Sequence, residues 1–84
     1  MIDKLNIQII IPYLYKKYDL LIPVNQTIGQ TIYTIVKGLN ILNNNVFKDN
    51  NSLNLYNALD GKMYDLNELL VDTDIKNGSI LILA

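Results

Sequence analysis

Four carboxylates crowd one short stretch of the chain: Asp65, Glu68, Asp72 and Asp74. Clustered oxygen ligands suit a hard cation such as calcium or magnesium. Their spacing does not follow the alternating ligands of an EF-hand loop, and Leu66, Leu69, Leu70 and Val71 stand between them. Acidic residues set among apolar ones are expected to form a solvated face, so no metal is expected. Tyrosine is the other polar type in quantity. Tyr13, Tyr15 and Tyr18 flank a single turn, where their amphipathic rings are expected to pack on the sheet edge; contact with a partner is the alternative.

Histidine and cysteine are both absent. The commonest general base at neutral pH is therefore missing, as are a thiolate nucleophile, a disulfide and a Cys/His metal site. The expectation is a protein that catalyses nothing and carries no cofactor. All seven cations are lysines, and they are scattered rather than grouped. Without an arginine-rich or clustered basic surface, nucleic acid is not an expected ligand. The uninterrupted apolar runs fall far short of the roughly 20 residues of a membrane helix, and the N-terminus lacks the apolar run of a signal peptide. These features predict a cytoplasmic protein with no direct insertion into a membrane. The wealth of Ile, Asn, Lys and Tyr with no Arg points to an AT-rich bacterial genome.

The elements must be arranged from a chain of 84 residues, enough for one domain spanning residues 1–84. Half of its residues are hydrophobic, which suits the efficient core that so short a chain needs. Leu5, Ile7, Ile9 and Ile11 alternate with Asn6, Gln8 and Ile10, predicting a half-buried strand that Pro12 ends. Residues 18–24 predict a second strand, with Leu20 and Ile22 toward the core and Asp19 and Leu21 away. Thr27 and Gln30 form the two ends of a capping box. Ile28, Ile32, Ile35, Val36 and Leu39 then recur at helical spacing, predicting a helix from Ile28 to about Leu39, with Gly38 near its end as a cap.

Residues 43–52 read as a polar, asparagine-rich connection that Val46 and Phe47 could tack to the body. Leu53 to Tyr56 predicts a short strand. Asp60-Gly61 predicts a turn, followed by a very short strand over Lys62 to Tyr64. Leu66 to Asp74 predicts an irregular stretch or a single helical turn, and Asn77-Gly78 another turn. Ser79 to Ala84 predicts a closing apolar strand.

A hairpin followed by one helix has few ways to bury both. The helix must lie across the face carrying Leu5, Ile7, Ile9, Leu20 and Ile22, and the last strand can pair parallel to the first in mid-sheet. The predicted class is α+β: a β-grasp, with a mixed four- to five-stranded sheet and one helix packed on one face.

The spacing of Leu70, Ile75, Gly78 and Leu81 resembles the end of ubiquitin-like domains, and Asp60-Gly61-Lys62 with Tyr64 resembles the segment around their exposed turn. Within that superfamily the chain resembles the YukD/EsaB family of small bacterial proteins associated with type VII (ESX-like) secretion. Tyr18-Asp19-Leu20-Leu21-Ile22-Pro23 resembles that family's second strand, and the helix from Ile28 fits the same template. The resemblance spans nearly the whole chain, with the asparagine-rich connection least alike. It implies an accessory or regulatory role in a secretion apparatus, with secretion-system components among the protein partners.

Two alternatives stand beside that reading. Ubiquitin-like modifiers and sulfur carriers resemble one another in a C-terminal Gly-Gly tail, whereas this sequence closes on Ser79-Ile80-Leu81-Ile82-Leu83-Ala84, which disfavours conjugation and sulfur transfer. The residues also resemble cytosolic β-grasp domains of larger membrane secretion components. For any of the three, the expected working surface is the sheet face opposite the helix. Alternation places Ile10, Leu21, Tyr56, Ile80 and Ile82 there, with Asn6, Gln8 and Asn54 as a polar rim. Ile10, Leu21, Tyr56 and Ile82 are expected to form a contiguous apolar patch, of the kind that marks a protein-interaction site or a homodimer contact.

Overall fold

The computed structural model describes residues 3–42, 47 and 52–84. The chain begins as a hairpin: β1 (Lys4–Ile11) and β2 (Lys16–Pro23), joined through one 3-10 turn at Pro12–Leu14. Pro12 enters that turn at its first position, where its missing N–H costs nothing. Tyr15 closes it in the left-handed region at φ 54°, donating its N–H to the Pro12 carbonyl at 3.1 Å. That tight reversal lets β2 start at Lys16, earlier than its hydrophobic pattern suggests.

Helix α1 (Ile28–Leu42) follows, then β3 (Leu55–Asn57), a second 3-10 turn at Leu70–Asp72 and β4 (Ile80–Leu83). The sheet order is β2-β1-β4-β3. β1 runs antiparallel to β2 and parallel to β4, and β3 is antiparallel to β4. The last strand therefore lies beside the first in mid-sheet. Lys62 to Tyr64 does not make a full fifth strand; Met63 forms an isolated bridge with Tyr56.

The helix starts where the capping box places it. Gln30 N–H donates to Thr27 Oγ1 at 3.1 Å, and Thr27 N–H donates to Gln30 Oε1 at 2.8 Å. The next free donors, on Ile28 and Gly29, reach the carbonyls of Glu68 and Leu66, both at 2.9 Å. So the irregular stretch before the second 3-10 turn satisfies the helix N-terminus. A Cβ on Gly29 would stand 3.3 Å from the Leu66 carbonyl oxygen, so a larger residue there would ask that backbone to give by a few tenths of an ångström. Gly38 does not act as a cap. The helix passes through it to Leu42, because Gly38 lies exposed in open space and keeps a negative φ.

One face of the sheet and the inner stripe of α1 make the core. Leu5, Ile7, Ile9 and Ile11 of β1 are buried with Ile28, Ile32, Ile35, Val36 and Leu39 of α1, and Leu81 and Leu83 of β4 join them. Each such side chain contributes about 1.5–3 kcal/mol on burial. The β-branched residues of α1 are poor intrinsic helix formers; this packing holds them helical. Phe47 tacks the connection to the core as expected, and Asn40 of α1 clamps its backbone, accepting its N–H at 2.7 Å and donating to its carbonyl at 3.0 Å. Val46 lies outside the described residues.

Candidate interaction surface

Strand register decides which side chains meet on the face away from α1. Ile10 stands opposite Lys17 on one side and Ile82 on the other. Ile82 in turn stands opposite Tyr56, and Tyr56 bridges Met63. One apolar row, Ile10, Ile82, Tyr56 and Met63, thus crosses the sheet from β1 to beyond β3, with strands about 4.8 Å apart. Ile80 lies two residues from Ile82 on the same face, opposite Gln8. Ile10, Tyr56, Ile80 and Ile82 are half-buried against one another, whereas Met63 is 55% exposed.

Leu21 departs from the expected contiguous patch. It is on the expected face and 64% exposed, but the register sets it opposite Asn6. Gln8 and Asp19, themselves paired, lie between it and the Ile10 row. Alternation assigns a side chain to a face; only the pairing register assigns its neighbours. Between the two apolar features the surface dips into a concavity of about 660 Å³ bordered by Asn6, Gln8, Asp19, Asn77, Gly78 and Ile80. Met63 was not among the expected residues. Its signal was the Asp60-Gly61 turn, where Gly61 takes φ 75° and folds the chain back so that Asn57 N–H reaches the Lys62 carbonyl.

Two of the four carboxylates accept hydrogen bonds from their neighbours. Asp74 Oδ1 accepts the Tyr64 hydroxyl at 2.7 Å, and Asp65 Oδ1 accepts the Asn67 N–H at 2.9 Å. Among the described residues no three of His, Cys, Asp or Glu converge on one point. Tyr64 is 2% exposed, and burial, reinforced by Asp74, pushes its hydroxyl well above the usual phenol range. Lys62 Nζ sits 5.6 Å above its ring, within cation–π range. Tyr13 and Tyr15 do not pack as expected: both rings are exposed, Tyr15 at 97%. Tyr18 alone of that group packs against the core.

Solved structures share this arrangement. The N-terminal ubiquitin-like domain in the 4931431F19Rik protein superposes with a TM-score of 0.76 at 15% identity, over 100% of this chain and 76% of that one. The ubiquitin-like domain of the Mycobacterium tuberculosis type VII secretion system protein ECCD1 superposes with a TM-score of 0.74 at 16% identity, over 99% of each chain. The fold is the ubiquitin-like β-grasp. A chain of the MycP5-free ESX-5 inner membrane complex carries the same β-grasp, with a TM-score of 0.77 at 12% identity, over 99% of this chain and 21% of that one. No protein-family model and no curated protein matches the sequence. The superpositions establish the shared β-grasp architecture, and at these identities the fold alone. Among the described residues no helix is long and apolar enough to cross a membrane.

Proposed function

We propose that this β-grasp domain is a non-catalytic protein-interaction module that docks partners on its open sheet face, as an accessory or regulatory component of a type VII (ESX-like) secretion system. The observation that carries the docking reading is the row of Ile10, Ile82, Tyr56 and Met63, which gathers apolar side chains from separate segments onto the face that α1 leaves open. Contiguous surface of that kind on a small domain supports a binding role, and interface energy concentrates in such central anchors. The secretion reading rests on the motifs that resemble the YukD/EsaB family, and the β-grasp of ECCD1 supports it. The place of action is then the cytoplasm.

A second reading is favoured by the ESX-5 comparison, in which the matching β-grasp is a fifth of a longer chain in an inner membrane complex. On that reading these residues act as the cytosolic domain of a larger membrane component. Affinity capture with the tagged domain from cytosolic and membrane fractions, run beside an Ile82→Asp control, tests both. Recovery of secretion-system proteins by the unaltered domain alone is the expected result. Identical captures by the two would remove the open face as the site. Capture of unrelated cytosolic proteins alone would remove the secretion assignment.

A further inference from the structure

Asn77-Gly78 is the sequence most prone to form a succinimide, because glycine puts no Cβ in the way of ring closure. In the fold this dipeptide is held at two points by one residue of β1. Asn6 N–H donates to Asn77 Oδ1 at 2.9 Å, and Gly78 N–H donates to the Asn6 carbonyl at 2.8 Å. The Asn77 side chain therefore stands in for a strand carbonyl, extending the pairing of β1 one step ahead of the first β1–β4 pair, Gln8 with Ile80. Gly78 takes φ 87° to make this possible, a conformation open to glycine at little cost. Lys76 and Ser79 close the turn on its other side, with Ser79 N–H on the Lys76 carbonyl at 3.0 Å and Lys76 N–H on Ser79 Oγ at 2.9 Å.

We propose that Asn77 is a latent covalent-modification site that Asn6 gates: deamidation is blocked while both bonds to Asn6 hold, and proceeds when the start of the β1–β4 ladder opens. In the reaction the Gly78 nitrogen attacks Asn77 Cγ and loses its proton to solvent base. The bond from Cγ to the carboxamide nitrogen breaks, ammonia leaves, and a five-membered succinimide remains. Water then opens the ring at either carbonyl, giving aspartate or isoaspartate. The folded geometry opposes the first step. The nucleophile's N–H is tied to an acceptor that cannot take its proton, and the Asn77 carboxamide is anchored to the Asn6 N–H. Both must let go before the ring can close. Turns such as 76–79 sit at the low-stability end of a fold, so opening is local rather than global.

The two products differ. Aspartate keeps an acceptor oxygen for Asn6 N–H. Isoaspartate adds a methylene to the main chain between the two residues, which moves Gly78 off the Asn6 carbonyl and unpicks the ladder where β4 begins. Modification thus converts a transient opening into a lasting one, beside the concavity bordered by Asn6, Gln8 and Ile80.

The test incubates the full chain at mildly alkaline pH, native and in denaturing urea. Peptide mass mapping follows the exchange of NH2 for OH at Asn77, isoaspartyl methyltransferase labelling reports the isomer, and native-state hydrogen exchange reads the Gly78 amide. The expected result is deamidation at least ~10-fold slower in the native chain, with a protected Gly78 amide, since reaction is limited to the open population. Equal rates in the two states would overturn the gate. A slow native rate with an unprotected Gly78 amide would overturn it too, because protection would then come from something other than Asn6.

Discussion

Tyr64 donates its hydroxyl hydrogen to Asp74 Oδ1 across 2.7 Å, joining the segment after the Asp60-Gly61 turn to the segment leading into β4. A buried phenol held this way stabilises the fold only while protonated. Its folded value is raised, so its contribution is complete below the unfolded phenol value of 10.0 and is lost as pH climbs above it. Stability should fall above about pH 10 with a slope approaching 1.4 kcal/mol per unit from this one group. Urea midpoints measured from pH 8 upward, for the unaltered chain and Tyr64→Phe, check this. Tyr64→Phe should cost about 1–2 kcal/mol at pH 8 and should flatten the alkaline decline.

The capping box makes a second, independent prediction. Thr27→Ala removes the acceptor for Gln30 N–H and should cost about 1 kcal/mol, read as a shift in the denaturation midpoint. Gln30→Ala should cost less, since the Gln30 Oε1 accepts the Thr27 N–H and, at 3.3 Å, the Thr27 hydroxyl, both of them close to water.

In the core, Ile9 is fully buried between Tyr18 and Leu81 in the sheet register. Ile9→Ala should cost about 2–5 kcal/mol, comparable to the whole stability of a domain this small, on the order of 5 kcal/mol. A variant that unfolds at room temperature is the expected outcome; a loss under 1 kcal/mol would contradict the burial.

The parts that sequence made legible share one physical property: each is encoded within a few neighbouring residues. Strict alternation over Leu5 to Ile11 fixes a strand and its buried face. Thr27 with Gln30 fixes a helix start, and the glycines at 61 and 78 fix turns through their positive φ. Gly38 misled because a glycine in open solvent is tolerated mid-helix when the flanking turns are anchored by Ile35 and Leu39. Tyr15 hid its left-handed backbone because Pro12 and the hairpin closure impose it, against its own preference. The separation of Leu21 from Ile10 depends on the register of the β1–β2 hairpin, and the arrival of Met63 beside Tyr56 on the fold-back at Gly61. Alternation within one strand assigns a face and carries neither pairing.

Tyr15 offers a test of imposed strain. A non-glycine residue at φ 54° is held off its preferred basins, and its ring is almost wholly exposed, so little packing is lost with it. Tyr15→Gly should therefore leave stability unchanged or raise it by up to ~1 kcal/mol, the relief exceeding the added chain entropy. A loss above that size would mean that the Tyr15 ring contributes packing in solution. Partner capture by the same variant separates strain from use, since an exposed ring that binds would be missed only there.

The open face gives the sharpest separation between folding and binding. Ile82 lies between Ile10 and Tyr56 in the apolar row, whereas Leu21 stands two rungs away behind Gln8 and Asp19. If the row is the anchor, Ile82→Asp should weaken partner binding by tenfold or more, in keeping with hot-spot losses above 1 kcal/mol. Leu21→Asp should weaken it by about threefold or less, as a rim position. Because Ile82 sits in a central strand and is half-buried, an aspartate there could also unsettle the sheet. Ile82→Thr guards against that ambiguity: it keeps the β-branch that suits a strand, removes apolar contact, and should retain most stability while still weakening binding. Calorimetric or optical titration of each variant, paired with its denaturation curve, reads both quantities. Equal losses at Leu21 and Ile82 would mean a footprint centred on the Asn6, Gln8 and Asp19 concavity. Normal binding by both would move the site to another surface, with the exposed Tyr13 and Tyr15 at the hairpin end next to be replaced.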